Sequence, residues 1–104
     1  MAMLVVDDVQ QNVNPADSDI EAAVKELDSG NASHIAIIRD EAQNHFTQAV
    51  RMQPDLFLLE YRDMYGHMAA DEPLSGAALI DVLKAYANSD DTWVSQYSWA
   101  PVEI

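Results

Sequence analysis

The sequence predicts an α+β domain, a mostly antiparallel sheet of about five strands with two amphipathic helices on one face, in the order β-α-β-β-β-β-α. Three observations predict it. Two stretches repeat apolar residues at helical spacing, and the runs before and between them are β-rich and separated by turn residues. The chain of 104 residues is 49% hydrophobic and 22% charged, which supports one packed core and places it away from core-poor disordered chains. No linker, repeat or low-complexity segment interrupts residues 1–104, so one domain is expected.

The first strand is Met3 to Val6, an aliphatic run ended by Asp7-Asp8. After the polar stretch Gln10 to Asn14, Asn14-Pro15 supplies an N-cap and a proline at the first helical position, with Asp17 in the first turn. Ile20, Ala23, Val24 and Leu27 then fall on one helical face, and Gly30 is the expected stop. His34 to Ile38, closed by Asp40-Glu41, and His45 to Met52 predict a hairpin. Gln53-Pro54-Asp55 is a turn, followed by a strand from Leu56 to Arg62 with Phe57, Leu59 and Tyr61 on one face and Leu56, Leu58 and Glu60 on the other. Asp63 to Gly66 turns the chain into a short strand, His67 to Ala70. Ser75 caps a second helix whose stripe is Leu79, Val82, Leu83 and Tyr86, with Leu74 placed to staple against Leu79. The tail from Thr92 to Ile104 carries both tryptophans, and Trp93 and Trp99 are expected to close the core or its edge.

Charge is the unusual quantity. Eighteen Asp and Glu against five Lys and Arg give a formal net charge of −13. A negative field of that size repels phosphate backbones and anionic lipid, so direct nucleic-acid or membrane binding is not expected and a basic protein is the natural partner. Solubility alone is the competing account of the same charge. Cysteine is absent, which excludes disulfides, thiolate zinc sites and cysteine nucleophiles. Residues 1–10 have no basic segment and reach Asp7 after a short apolar run, so neither a signal peptide nor a membrane span is predicted and a cytoplasmic location is expected.

Nothing amounts to a catalytic or metal-binding pattern. His34, His45 and His67 fall on different strands, with no i, i+4 pair to hold a metal. The carboxylate pairs Asp7-Asp8, Asp40-Glu41, Asp71-Glu72 and Asp90-Asp91 lie at element boundaries, where solvation opposes the separated pKa values of acid–base catalysis. No stretch has calcium-loop spacing, and Gly30, Gly66 and Gly76 are too isolated to form a phosphate loop. The expectation is therefore no enzyme, no metal and no cofactor. The cluster Tyr86, Trp93, Tyr97 and Trp99 combines possible interface anchors with possible core residues.

The succession Asn14-Pro15, an acidic helix bearing Ile20 and Leu27, Glu60-Tyr61-Arg62-Asp63, Pro73-Leu74-Ser75, Ala85-Tyr86-Ala87, Asp90-Asp91 and Trp93 to Trp99 resembles small bacterial immunity proteins of polymorphic or contact-dependent toxin systems. The resemblance implies a non-catalytic cytoplasmic inhibitor that blocks the active site of a cognate toxin, commonly basic and directed at nucleic acid. The contact surface expected from local charge and aromatic content is Glu60, Asp63, Asp71, Glu72, Asp90 and Asp91, with Tyr65 and Tyr97 as anchors. The alternatives are a phage-borne inhibitor or nucleic-acid mimic acting on a host defence nuclease, and an acidic structural module that forms a homodimer through an open sheet face or an edge strand.

Overall fold

The computed structural model describes residues 2–102 and has the expected α+β architecture. Strands β1 (Met3–Val6), β2 (Val9–Val13), β3 (His34–Asp40), β4 (His45–Gln53), β5 (Leu56–Asp63), β6 (Gly66–Ala70) and β7 (Trp99–Pro101) form one antiparallel sheet in the order β2-β1-β3-β4-β5-β6-β7. Helices α1 (Asp17–Ser29) and α2 (Gly76–Ala87) contact each other and lie together on one face. A 3₁₀ segment, Thr92–Gln96, links α2 to β7. Of the tail, Glu103 and Ile104 lie outside the described residues.

The sheet has seven strands where about five were expected, and both additions are edges. Asp7 and Asp8 form a two-residue hairpin loop with φ of 50° and 66°, the left-handed pair of a type I′ turn, so the chain returns at once as β2. Asp tolerates that region better than most residues, and the stretch after it is polar because an edge strand faces solvent. At the other margin, β7 contains Pro101, which lacks a ladder donor and is tolerated at a sheet edge.

The start of α1 also differs from expectation. Asn14 does not cap it: Asn14 sits at φ 53°, its N–H donates to Ala2 O at 2.6 Å, and its Oδ1 accepts from Ala2 N at 3.3 Å, fastening β2 to the start of the chain. Ala16 is the N-cap, and the Asp19 carboxylate accepts its N–H at 2.8 Å. Gly30 ends the helix at φ 85°, as its lack of a Cβ permits. Ser75 caps α2 by accepting the Ala78 N–H at 3.2 Å, and Asp55, in the β4–β5 turn, accepts the Gly76 N–H at 3.0 Å.

Strand parity sets the core. Leu4, Ile35, Ile37, Ala49, Phe57 and Leu59 point toward the helices and meet Ile20, Val24 and Leu27 of α1 and Leu79, Val82 and Leu83 of α2, all buried. Trp93 is 3% exposed, so the first tryptophan closes the core, while Trp99 is half-buried at its margin. The opposite sheet face carries neither helix.

Candidate protein-binding site

The β3–β4 and β5–β6 turns emerge at the same end of the sheet, because β3 ends opposite the start of β4 and β4 starts opposite the end of β5. In the second turn the Asp63 carboxylate accepts the Tyr65 N–H at 2.8 Å and Gly66 takes φ 132°. This tight local bonding holds the intervening side chains out from the core. Met64 is 72% exposed and Tyr65 is 89% exposed, the two most exposed large apolar side chains of the described residues.

Beside that turn is a cleft of about 540 Å³, lined among others by Tyr61, Tyr86, Trp93, Met68 and Val94. Its aromatic wall is built by edge-to-face contacts: Tyr61 to Trp93 at 5.4 Å between centroids, Tyr61 to Trp99 at 4.7 Å and Tyr86 to Trp93 at 6.2 Å. Such pairs fix ring orientation beyond simple burial. The rim is charged, with Arg39, Arg62, His45, Asp63 and Asp91. Two of the chain's three arginines therefore converge here despite its large negative charge.

Arg39 organises the cleft. Its Nη1 and Nη2 donate to the two carboxylate oxygens of Asp91 at 3.2 and 3.0 Å, and Nη2 donates to Tyr86 O at 2.7 Å. The guanidinium lies 3.9 Å from the centroid of the Tyr86 ring. A strand of the sheet is thereby tied to the end of α2 and to the start of the 3₁₀ segment. Burial pushes the Tyr86 phenol up from its usual range, with the Arg39 charge opposing. Burial, then the Asp63 and Asp91 charges, push the Tyr61 phenol up as well. Both hydroxyls stay protonated, neutral groups at physiological pH. The Arg39 Nε and Trp93 Nε1 donors are buried without a hydrogen-bond partner.

The eight residues expected at a contact surface separate into groups. Asp63, Tyr65 and Asp91 gather at this cleft. Asp71, Glu72 and Tyr97 line a different cleft of about 500 Å³, between the end of β6, the start of α2 and the segment before β7. Asp90 folds its carboxylate onto Thr92, accepting from the backbone N–H at 3.0 Å and the hydroxyl at 2.8 Å. Those bonds lower its pKa. Glu60 belongs to neither group: it stands on the sheet face away from the helices, accepts from Gln48 Nε2 at 3.3 Å and has Oε1 3.2 Å from His67 Nε2.

On the rim and in the turn, the side chains that sequence reasoning left out of the site are Arg39, Arg62, His45 and Met64. Met64 was legible as an apolar residue inside a turn. The arginines were not, because Arg39 meets a residue 52 positions away. Among the described residues Thr47 is the single buried polar or charged side chain, and no group of three or more His, Asp or Glu is placed to hold a metal ion. No described helix is long and apolar enough to cross a membrane. No family model, curated protein or solved structure matches the chain.

Proposed function

We propose that this chain is a non-catalytic inhibitor of immunity-protein type, which binds a basic partner protein in the cytoplasm and covers its active site. The observation that carries the reading is the coincidence, at one end of the sheet, of exposed Met64 and Tyr65 with an aromatic cleft and the carboxylates of Asp63 and Asp91. Asp40, at the end of β3, and Glu41, in the turn that follows, add charge at the same end.

Each part has a physical use. A net charge of −13 accelerates encounter with a cationic surface, competing there with the phosphate backbone that a nucleic-acid-directed enzyme would bind. Surface charge is screened beyond about 8 Å at physiological salt, so it steers more than it holds. Holding requires desolvated anchors, and Tyr is among the residues most often found in that role. Tyr65 and Met64 supply them, while the Arg39–Asp91 pair holds the cleft wall in place before the partner arrives.

The test is capture from host lysate on immobilised protein at low and moderate salt, with wild type and Tyr65→Ala side by side. One basic protein should be retained by wild type, released as salt rises, and lost at least tenfold from Tyr65→Ala. Equal retention by both proteins would remove the turn from the site.

A further inference from the structure

The sheet face turned away from the helices has its own composition, fixed by register. Directly opposed residues of an antiparallel ladder share a face. One row runs across six strands as Val13, Met3, Ile38, Phe46, Arg62 and His67. The next contains Val5, Ala36, Gln48, Glu60 and Ala69, and a third contains His34, Val50 and Leu58. Met3, Val13 and Ile38 also line, with Gln10, Arg39 and Glu41, a depression of about 290 Å³ at the margin of this face. In a chain with eighteen carboxylates, Glu60 is the one carboxylate within these rows, and it already contacts Gln48 and His67. Phe46 stacks edge-on against His67 at 5.5 Å.

We infer that this face is a self-association surface on which a second copy of the chain packs, sheet against sheet, about a two-fold axis. The charge pattern selects that occupant. A basic partner finds a single carboxylate, Glu60, to pair with in these rows, whereas a second copy meets a largely apolar surface like its own. The contact places no excess of carboxylates against carboxylates, and the other carboxylates of the described residues lie in turns, on helices or at strand ends. In an isologous contact Arg62, which stands in no ion pair among the described residues, can face Glu60 of the other copy.

Area sets the strength. Six strands about 4.8 Å apart and three rows of side chains give roughly 25 by 17 Å, on the order of 400 Å² per copy before side-chain relief. That is below the roughly 800 Å² per partner of a standard interface, so the dimer is weak and depends on concentration. Its salt response is set by the −13 charge of each copy. Salt screens their repulsion, so self-association strengthens as salt rises, opposite to the capture of a basic partner.

Sedimentation equilibrium of the full chain from about 10 μM to 1 mM, at roughly 0.01 and 0.3 M salt, tests this. Wild type should pass from monomer to dimer, more readily at high salt. Leu58→Lys should raise the dissociation constant at least tenfold although it lowers the net negative charge, a change that charge repulsion alone would reward with tighter association. An unchanged circular dichroism spectrum and melting temperature certify its fold. As a check without substitution, amide shifts that move on dilution of wild type should fall on β1, β3, β4 and β5. A monomer throughout, a dimer indifferent to Leu58→Lys, or shifts confined to the β2 and β7 edges or to residues 64–65 would each overturn the inference. Leu58→Lys should leave Tyr65-dependent capture intact, so this inference and the partner-binding reading can fail separately.

Discussion

Replacing Arg39 by Met keeps the length of the side chain and removes every polar contact it makes. The variant loses the two bonds to Asp91, the 2.7 Å bond to the Tyr86 carbonyl and the stack on the Tyr86 ring. The Asp91 side chain is 57% exposed, so solvent holds that pair to about 1 kcal/mol. The more shielded carbonyl bond to a charged donor contributes about 1.5 kcal/mol and the ring contact about 0.5 kcal/mol. Against this, Met also removes the Arg39 Nε, which is buried without a partner and whose desolvation costs about 1 kcal/mol. The net loss is about 2 kcal/mol, which for a domain of this size is a fall of roughly 8–16 °C in melting temperature. Scanning calorimetry or thermal circular dichroism measures it, and a cycle with Asp91→Ala should return a coupling of about 1 kcal/mol between the two sites. A melting temperature lowered by less than about 2 °C, or strict additivity in the cycle, would refute the view that Arg39 ties β3 to the end of α2 and the 3₁₀ segment.

Gly30→Ala forces a Cβ into the φ of 85° that closes α1, with no neighbour within 4 Å to clash, so backbone strain alone should cost about 1 kcal/mol in urea unfolding. Tyr61 and Tyr86 have raised phenolic pKa values in the folded chain, so their contribution is complete below the ordinary value of 10.0 and is lost as pH rises through the folded values. Urea midpoints measured between about pH 9 and 12 should therefore fall, and Tyr86→Phe should flatten that fall; an equal slope in the variant would contradict the assignment. Tyr65→Ala, made at an 89% exposed position, should leave the unfolding free energy within about 0.5 kcal/mol of wild type, so that any loss of partner retention reports binding and not folding.

Much of this molecule was legible locally. The stripes Ile20, Ala23, Val24, Leu27 and Leu79, Val82, Leu83, Tyr86 are the buried faces of the two helices, because a helix that packs on a sheet must repeat its apolar residues at 3.6. Phe57, Leu59 and Tyr61 alternate into the core for the corresponding reason at period two. Gly30 and Ser75 terminate and start helices as short-range chemistry requires. The errors also had local causes that lost to distant ones. Asn14-Pro15 has the composition of a helix start, but Asn14 is held by Ala2 across the β1–β2 pair, and Asp7-Asp8 is a hairpin turn despite lacking the Asn-Gly or Asp-Gly that announces one.

By itself the sequence determined the fold class, the core and the charge, since each follows from residue type and spacing over a few positions. Only the tertiary structure decided which charges belong together. Asp63, Tyr65 and Asp91 share a cleft, Asp71, Glu72 and Tyr97 share another, and Glu60 lies on the sheet face away from the helices. The physical reason is that a side chain's neighbours across a sheet or between a strand and a distant loop are set by chain topology, and carboxylates alike in sequence differ only in what the fold brings within 3 Å of them.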